Sequence, residues 1–531
     1  MLRIRFSRSN FSRTIAAAAS AAALSFALAP AGAAHAKDLV VALSAAFTTL
    51  DPYDSPDMMT KTAGRSIYEG LFRFDENMNP VPDLAESYER SADGLVYTIK
   101  LKPGVKFHDG TTLDAAAVKK NFDRVLDPAN HLTRRAVYSF IDRIDVVDPL
   151  TVRFTLKFAH GGFLRRLAMS NAMMICPSYI DKYNKGKQLA FHACGTGPYV
   201  QESFNPSERL VVKKNPNYRI PGLPKLSRIT FLPVMENATR AAMLRTGEAD
   251  FITTVPLEQM DVLKKDPNIV VQAKPSIVQK HLDLNNHFKP FNDVRVRQAV
   301  NYAIDKAALA KVAYGGYAVP QYGLLAETYP GAKKFGPWPY NPQKARELLK
   351  EAGYPDGFET TLYSGYNDTT ASKVVQFIAQ SLRQVGIRAK TKLLEPGVRS
   401  DLILNVKGPD DAKHRMFYIG WTDGTFDPDQ ILRPLLHSRQ APPVYMNTAY
   451  YANPEFDRLI DAALVESDQA KRDELYGKAQ EIAWNDAPWA FLLFEMSTGA
   501  GRKELKNFVM RADQTFDYRF AEWTESDAEK K

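Results

Sequence analysis

RMFYIGWTDGTFDPDQ, residues 415–430, changes character half-way. Its first half, 416–421, is a short apolar and aromatic run of the kind that forms a buried strand. From Thr422 it turns polar, with Asp423, Gly424, Thr425, Asp427 and Asp429. Ligands of open α/β sheets bind just beyond the carboxyl ends of strands, so an aromatic followed by carboxylates there reads as a binding rim. An ordinary strand running into an Asp/Gly/Pro turn fits the same residues, and the rest of the chain has to decide.

Outward from this stretch, strands and helices alternate. Asn341 caps a helix with Pro342 at its first position, Ala345, Leu348, Leu349 and Ala352 form its apolar stripe, and Gly353 ends it. A strand at 360–364, a helix at 370–385 and a strand at 387–394 follow, which is the grammar of a parallel, doubly wound sheet. Upstream, one helix is expected from Asn292 and Asp293 to Gly315. Strand, helix and strand also succeed one another between 223 and 251, with Asn237 as N-cap and Gly247 as stop. The first half is different. Alternating strands at 95–102, 144–147 and 152–156, a further strand at 105–108, and a helix opened by Asp114 make an α+β arrangement of hairpins. Helices are expected at 454–465 and 470–484, and the apolar run 489–494 reads as a strand returning to the first lobe.

At 531 residues the chain exceeds one core and predicts two to four domains. Arg3, Arg5, Arg8 and Arg13 precede an apolar run over 15–28 that ends at Ala34-His35-Ala36. That is the pattern of a secretory signal peptide over 1–36, and the run is too short to span a bilayer. Loss of four arginines turns 69 basic against 60 acidic residues into 65 against 60, and no cationic cluster remains. Nucleic acid is therefore not an expected partner. Cys176 and Cys194 fit a disulfide formed in an oxidising compartment; two buried thiols are the alternative. The nine histidines are scattered, and no metal site is expected.

No nucleophile elbow, zinc helix or phosphate loop is present. Asp423, Asp427 and Asp429 leave a glycosidase pair, hence a secreted hydrolase, as one reading. A binding protein needs only aromatic faces, a few charges and lobes that close. Thr48, Thr49 and Tyr53 follow a strand end at 39–43 and are placed either to face a ligand or to satisfy their own turn.

The segments LAESYERSADGLVYTIKLKPGVKFHDGTTLDAAAVKKNFDR (84–124), GTGPY (195–199), RTGEADF (245–251), VRQAVNYAIDK (296–306) and KARELLKEAGYPDGF (344–358) resemble the peptide-binding family of bacterial periplasmic solute-binding proteins, the exported receptors of ABC importers. FTTLDPYD (47–54), DPANHL (127–132), PGLPKL (221–226), GPWPYNP (336–342), RMFYIGW (415–421) and NTAYY (447–451) are most similar to the glutathione-binding branch.

The resemblance implies a two-lobed α/β fold. Lobe 1 covers 37–282 with an extra α+β subdomain at about 78–210, lobe 2 covers 283–490, and the return segment 491–531 completes lobe 1. It further implies a periplasmic receptor, not an enzyme, without cofactor and monomeric. The receptor would bind glutathione, or alternatively dipeptides and other short peptides, and deliver it to inner-membrane permease subunits. In peptide receptors of the family an Asp three residues after the strand-end Trp meets the ligand ammonium. Here that place is Gly424 and the carboxylate is Asp423, one residue earlier, so either Asp423 takes the role or amine recognition is arranged differently. Arg134 is the expected grip for a carboxylate. Tyr138, Tyr366 and Trp421 are expected to stack or hydrogen-bond, with Thr48, Thr49 and Asn447 completing the set.

Overall fold

The structure, a computed structural model, describes residues 38–55, 58–508 and 510–524. The expected signal peptide, 1–36, lies outside them. Among the described residues eleven strands join in one sheet, and a four-stranded sheet forms a separate layer.

The run LVVAL forms the buried strand Leu39–Leu43, which lies parallel to both Arg228–Pro233 and Phe251–Thr253. The helix between those two strands, Asn237–Thr246, is capped by Glu236 and not by Asn237. The Glu236 carboxylate accepts from the backbone N–H groups of Ala238 and Thr239, while the Asn237 side chain accepts from Arg240 instead. Gly247 ends the helix at φ 84°, a conformation that favours glycine.

The extra layer has the order Ala85–Arg90, Val96–Leu101, Thr151–Leu156, Ile141–Asp148, all antiparallel. Ala117, Val118, Phe122 and Val125 of helix Ala115–Leu126 are buried, and Asp114 caps it through a 2.7 Å bond from Ala117 N–H. The strand expected at 105–108 is absent. Pro103-Gly104 and Asp109-Gly110 leave too short a run between two turns, and only an isolated bridge from Lys106 to Thr112 forms. Cys176 and Cys194 are joined as a disulfide with their Cα atoms 5.4 Å apart.

Two long antiparallel strands, Ile269–Leu284 and Trp489–Arg502, run through the middle of the large sheet. Near one end Trp489–Arg502 pairs with Phe251–Thr253, and near the other Ile269–Leu284 pairs with Met416–Trp421. The register shifts between Pro275 and Gln279, where Pro275 has no N–H to give the ladder.

Beyond them Met416–Trp421, Phe358–Ser364 and Ile387–Leu393 are parallel, as the alternation predicts. The sheet as a whole is mixed because the crossing strands enter antiparallel. Helix Pro342–Glu351 starts at Asn341, whose side chain accepts from Lys344 N–H at 3.0 Å. The single helix expected up to Gly315 is two, Val294–Ala303 and Lys306–Tyr314. Ile304 takes an extended conformation and Asp305 restarts the chain as a second cap, accepting from Ala308 N–H.

One hydrophobic core joins Leu282, Leu284, Val296, Val300, Leu348, Val374, Met416 and Leu492 around the parallel strands. A larger one holds Leu39, Phe72, Phe122 and Phe231 and extends into helices Asp429–Leu436, Pro454–Val465 and Gln469–Asp486. This is a two-lobed α/β architecture with an added α+β layer on the first lobe.

Candidate functional site

Gly420 and Trp421 end the third parallel strand opposite Lys280 and Gln279 of the first crossing strand. A Cβ on Gly420 would lie 2.6 Å from Gln279 O and from Lys280 Cδ, and 3.1 Å from Tyr366 Oη. Only glycine lets these groups close in. The ammonium of Lys280 sits 4.0 Å from the centre of the Tyr366 ring and 3.4 Å from Glu495. Burial opposes its charge, but Glu495 and Tyr366 hold its pKa above the ordinary lysine range. Trp421 is half-buried, and its indole N–H donates to Gln430 O at 3.1 Å. Trp421 and Tyr366 line a cavity of about 170 Å³ together with His281, Arg399, Phe417 and Met446.

After Trp421 the chain turns through three carboxylates with different fates. Asp427 is fully buried and bound to Arg472 at 2.6 Å. Burial disfavours its charge, yet the Arg472 guanidinium holds the carboxyl well below the usual range. Asp429 pairs with Arg433 at 2.9 Å. Both are committed to guanidinium groups. Asp423 is half-buried, and among the described residues its carboxylate accepts from the backbone N–H and the hydroxyl of Thr425. Burial pushes this carboxyl up to about 6, against the pull of Thr425 and Arg166.

The loop is held against strand Phe72–Phe74 and the segment around Tyr329. Phe426 packs on Phe74 at 5.2 Å and on Tyr329 at 5.5 Å, and the Tyr329 hydroxyl donates to Asp423 O at 3.2 Å. Next to Phe74 and Tyr329 stand Arg73 and Thr328, both in the wall of a larger cavity of about 1250 Å³. Lys274 and Phe494 of the crossing strands, with Arg511, Asp517 and Arg519, also line it. Arg519 is paired with Asp517, whereas Arg73 has no carboxylate within 4.0 Å among the described residues. Burial and the nearby Arg519 lower the Arg73 pKa below the ordinary arginine value. The two cavities lie along one row of the sheet, since Gln279 is in register with Trp421 on one side and with Phe494 on the other.

The structure brings Trp421, Tyr366 and Asp423 to this region and puts other expected residues to different use. Tyr138 is a correction: it is fully buried, and its hydroxyl donates to Asn171, so no face remains for a ligand. Asn447 is a second, because its amide donates to His437 O and Tyr451 O and its carbonyl accepts from Tyr451 N–H, which fixes a buried turn. Thr49 is buried and accepts from Asp51 N–H, a local turn. Thr48 is exposed and tied to Thr60. Arg134 donates twice to Ser55 O.

Sequence reasoning missed Arg73. Arg73 alternates with Phe72 and Phe74 in a strand, and that break in the apolar pattern was the available signal.

Residues 79–443 match the family described as bacterial extracellular solute-binding proteins, family 5 middle. The chain is 46% identical over 487 residues to glutathione-binding protein GsiB of Escherichia coli strain K12, covering 92% of this chain and 94% of that protein. It is also 46% identical over 490 residues to GsiB of Pectobacterium atrosepticum, covering 92% and 95%. Among solved structures, the periplasmic binding protein DppA of Helicobacter pylori in complex with the peptide STSA is 31% identical, with a TM-score of 0.74 over 92% of this chain and 98% of that one. The substrate-binding protein CtaP of Listeria monocytogenes shares the fold at a TM-score of 0.83 and 23% identity, covering 92% and 100%. These relatives are solute-binding proteins, not enzymes. No helix of the described residues is long and apolar enough to cross a membrane. With its fold, its strand-end rim and this match, the chain belongs to the bacterial extracellular solute-binding proteins, family 5.

Proposed function

We propose that the protein is the periplasmic receptor of an ABC importer for glutathione. The observation that carries this reading is 46% identity to GsiB over 92% of the chain. In this reading the signal peptide 1–36 is cleaved ahead of Lys37 and the monomeric receptor hands its ligand to inner-membrane permease subunits. Residues 37–282 with 491–531 make the first lobe, whose core also takes in helices Asp429–Leu436, Pro454–Val465 and Gln469–Asp486, and the parallel strands with their helices make the second.

The chemistry of the ligand supports the reading. At neutral pH glutathione carries one ammonium and two carboxylates, so a site for it needs an acidic group without a cation and cationic groups without an anion. Asp423 answers the first requirement and Arg73, in the wall of the larger cavity, the second, while Trp421 and Tyr366 supply aromatic surface in the smaller one. Three or four charge-assisted hydrogen bonds of roughly 1.5 to 3 kcal/mol each supply the roughly 8 kcal/mol of micromolar binding after closure costs.

A second reading, a receptor for ordinary short peptides, is favoured by the 31% identity to the peptide-bound DppA. Calorimetry of the mature protein with reduced glutathione, oxidised glutathione and a dipeptide panel separates the two. Micromolar binding of glutathione with dipeptides much weaker is the expected result. Equal or tighter binding of the dipeptides would make it a general peptide receptor.

A further inference from the structure

Three parallel strands, Ile387–Leu393, Phe358–Ser364 and Met416–Trp421, point their carboxyl ends the same way. At or just beyond those ends stand Arg399, Tyr366 and Trp421, one for each strand, and all three line the cavity of about 170 Å³. That is where open α/β sheets hold their ligands. Pockets that enclose a whole small ligand run roughly 300 to 1,000 Å³, so this one takes one end of a longer molecule.

Arg399 stands in the wall as a cation without an anion. Its guanidinium donates to Gly365 O at 3.0 Å, which fixes it at the end of the middle strand, and among the described residues no carboxylate lies within 4.0 Å of it. Glu395 and Asp401, the acidic residues next to it in sequence, accept from Asn367 and Asn405 instead. One bond leaves most of the guanidinium's N–H donors open. A second polar group of the wall is also unanswered. His281 is 1% exposed and stacked on Trp489 at 4.1 Å, with Asp283 3.4 Å from its Nε2. A carboxylate beside Nε2 favours the proton there and leaves Nδ1 as an acceptor, and Nδ1 is buried with no hydrogen-bond partner. Phe417, Ile419 and Met446 add apolar surface, against which a charge-assisted bond is stronger than in water.

We infer that this cavity receives the carboxyl end of the bound peptide, with Arg399 gripping the terminal carboxylate and His281 Nδ1 accepting the amide N–H of the same residue. The inference rests on the glutathione reading and assigns the glycine of glutathione to the cavity, since its amide N–H and its carboxylate flank a single carbon. The γ-glutamyl carboxylate is left to cations outside this cavity, Arg73 among them. Arg399 is thus a specificity-determining residue, selecting ligands that keep a free terminal carboxylate.

The test is calorimetry of the mature protein with glutathione and with its glycinamide analogue, which is nearly the same size and lacks only that charge. Wild type is expected to prefer glutathione by more than about tenfold, the loss of one charge-assisted hydrogen bond. Arg399→Gln is expected to bind glutathione more weakly by about that factor and the amide nearly as wild type does, so that the preference disappears. Arg399→Lys, which keeps the charge without the planar fork, is expected to fall between the two. Equal wild-type affinities for the two ligands, a comparison that needs no variant, would overturn the inference and leave the receptor reading intact. So would a preference that survives in Arg399→Gln and is lost in Arg73→Gln. Failure of wild type to bind glutathione would overturn the receptor reading and this inference with it.

Discussion

In the proposed receptor, Asp423 is the residue on which the chemistry of the rim turns. Its carboxyl titrates near 6 in the ligand-free protein, above its ordinary 3.8, because burial disfavours the charge. A folded-state pKa raised in this way means that the ionised group costs stability above about pH 6, and the cost fades as pH falls through 6 toward 4. A ligand ammonium reverses the preference, so binding well below pH 6 must expel a proton. Affinity for glutathione is therefore expected to be about tenfold weaker at pH 5 than at pH 7.5. Asp423→Asn should bind more than about tenfold more weakly at pH 7.5, with little pH dependence left. Calorimetry at both pH values checks this, and an unchanged pH dependence in the variant would assign the titration elsewhere. The sequence marks this position because apolar strand and polar loop meet abruptly at Trp421. It could not reveal that Tyr138 and Asn447 are satisfied inside the core, since aromatic and amide side chains look the same in a string whether buried or exposed.

Among the elements, the legible ones carried their own punctuation. Asp114, Asn341 with Pro342, and Gly247 mark helix ends through hydrogen bonds and backbone conformations set within a few residues. Asp305 is an equally local cap, but the apolar stripe runs on through Ile304 and masks the break. The strand expected at 105–108 failed because alternation over four residues cannot outweigh turns on both sides. The elements around the rim are fastened by Asp427 and Arg472, from the loop and from helix Gln469–Asp486, paired at 2.6 Å with almost no exposure. Removing one partner of such a pair strands a buried charge. Asp427→Ala is expected to cost about 3 to 5 kcal/mol in urea unfolding, and replacing both residues by apolar ones of similar size less than that. A double variant as unstable as the single would show that shape, not charge, ties the helix to the loop.

At the scale of the whole molecule, two crossing strands connect a lobe of hairpins and helices to a lobe of parallel strands. The alternation of strand and helix predicted the second lobe and the return of 489–494, but not that the crossing strands enter antiparallel and merge both lobes' strands into one sheet. Sheet membership over more than two hundred residues of separation leaves no periodic trace in either strand. The central claim is that glutathione lies at the rim where this sheet ends in Trp421. The crystal structure of the complete mature protein grown with glutathione tests it most directly. It is predicted to show the ligand against Trp421 with its ammonium within about 3.2 Å of the Asp423 carboxylate. Glutathione bound away from both Trp421 and Asp423 would contradict the account.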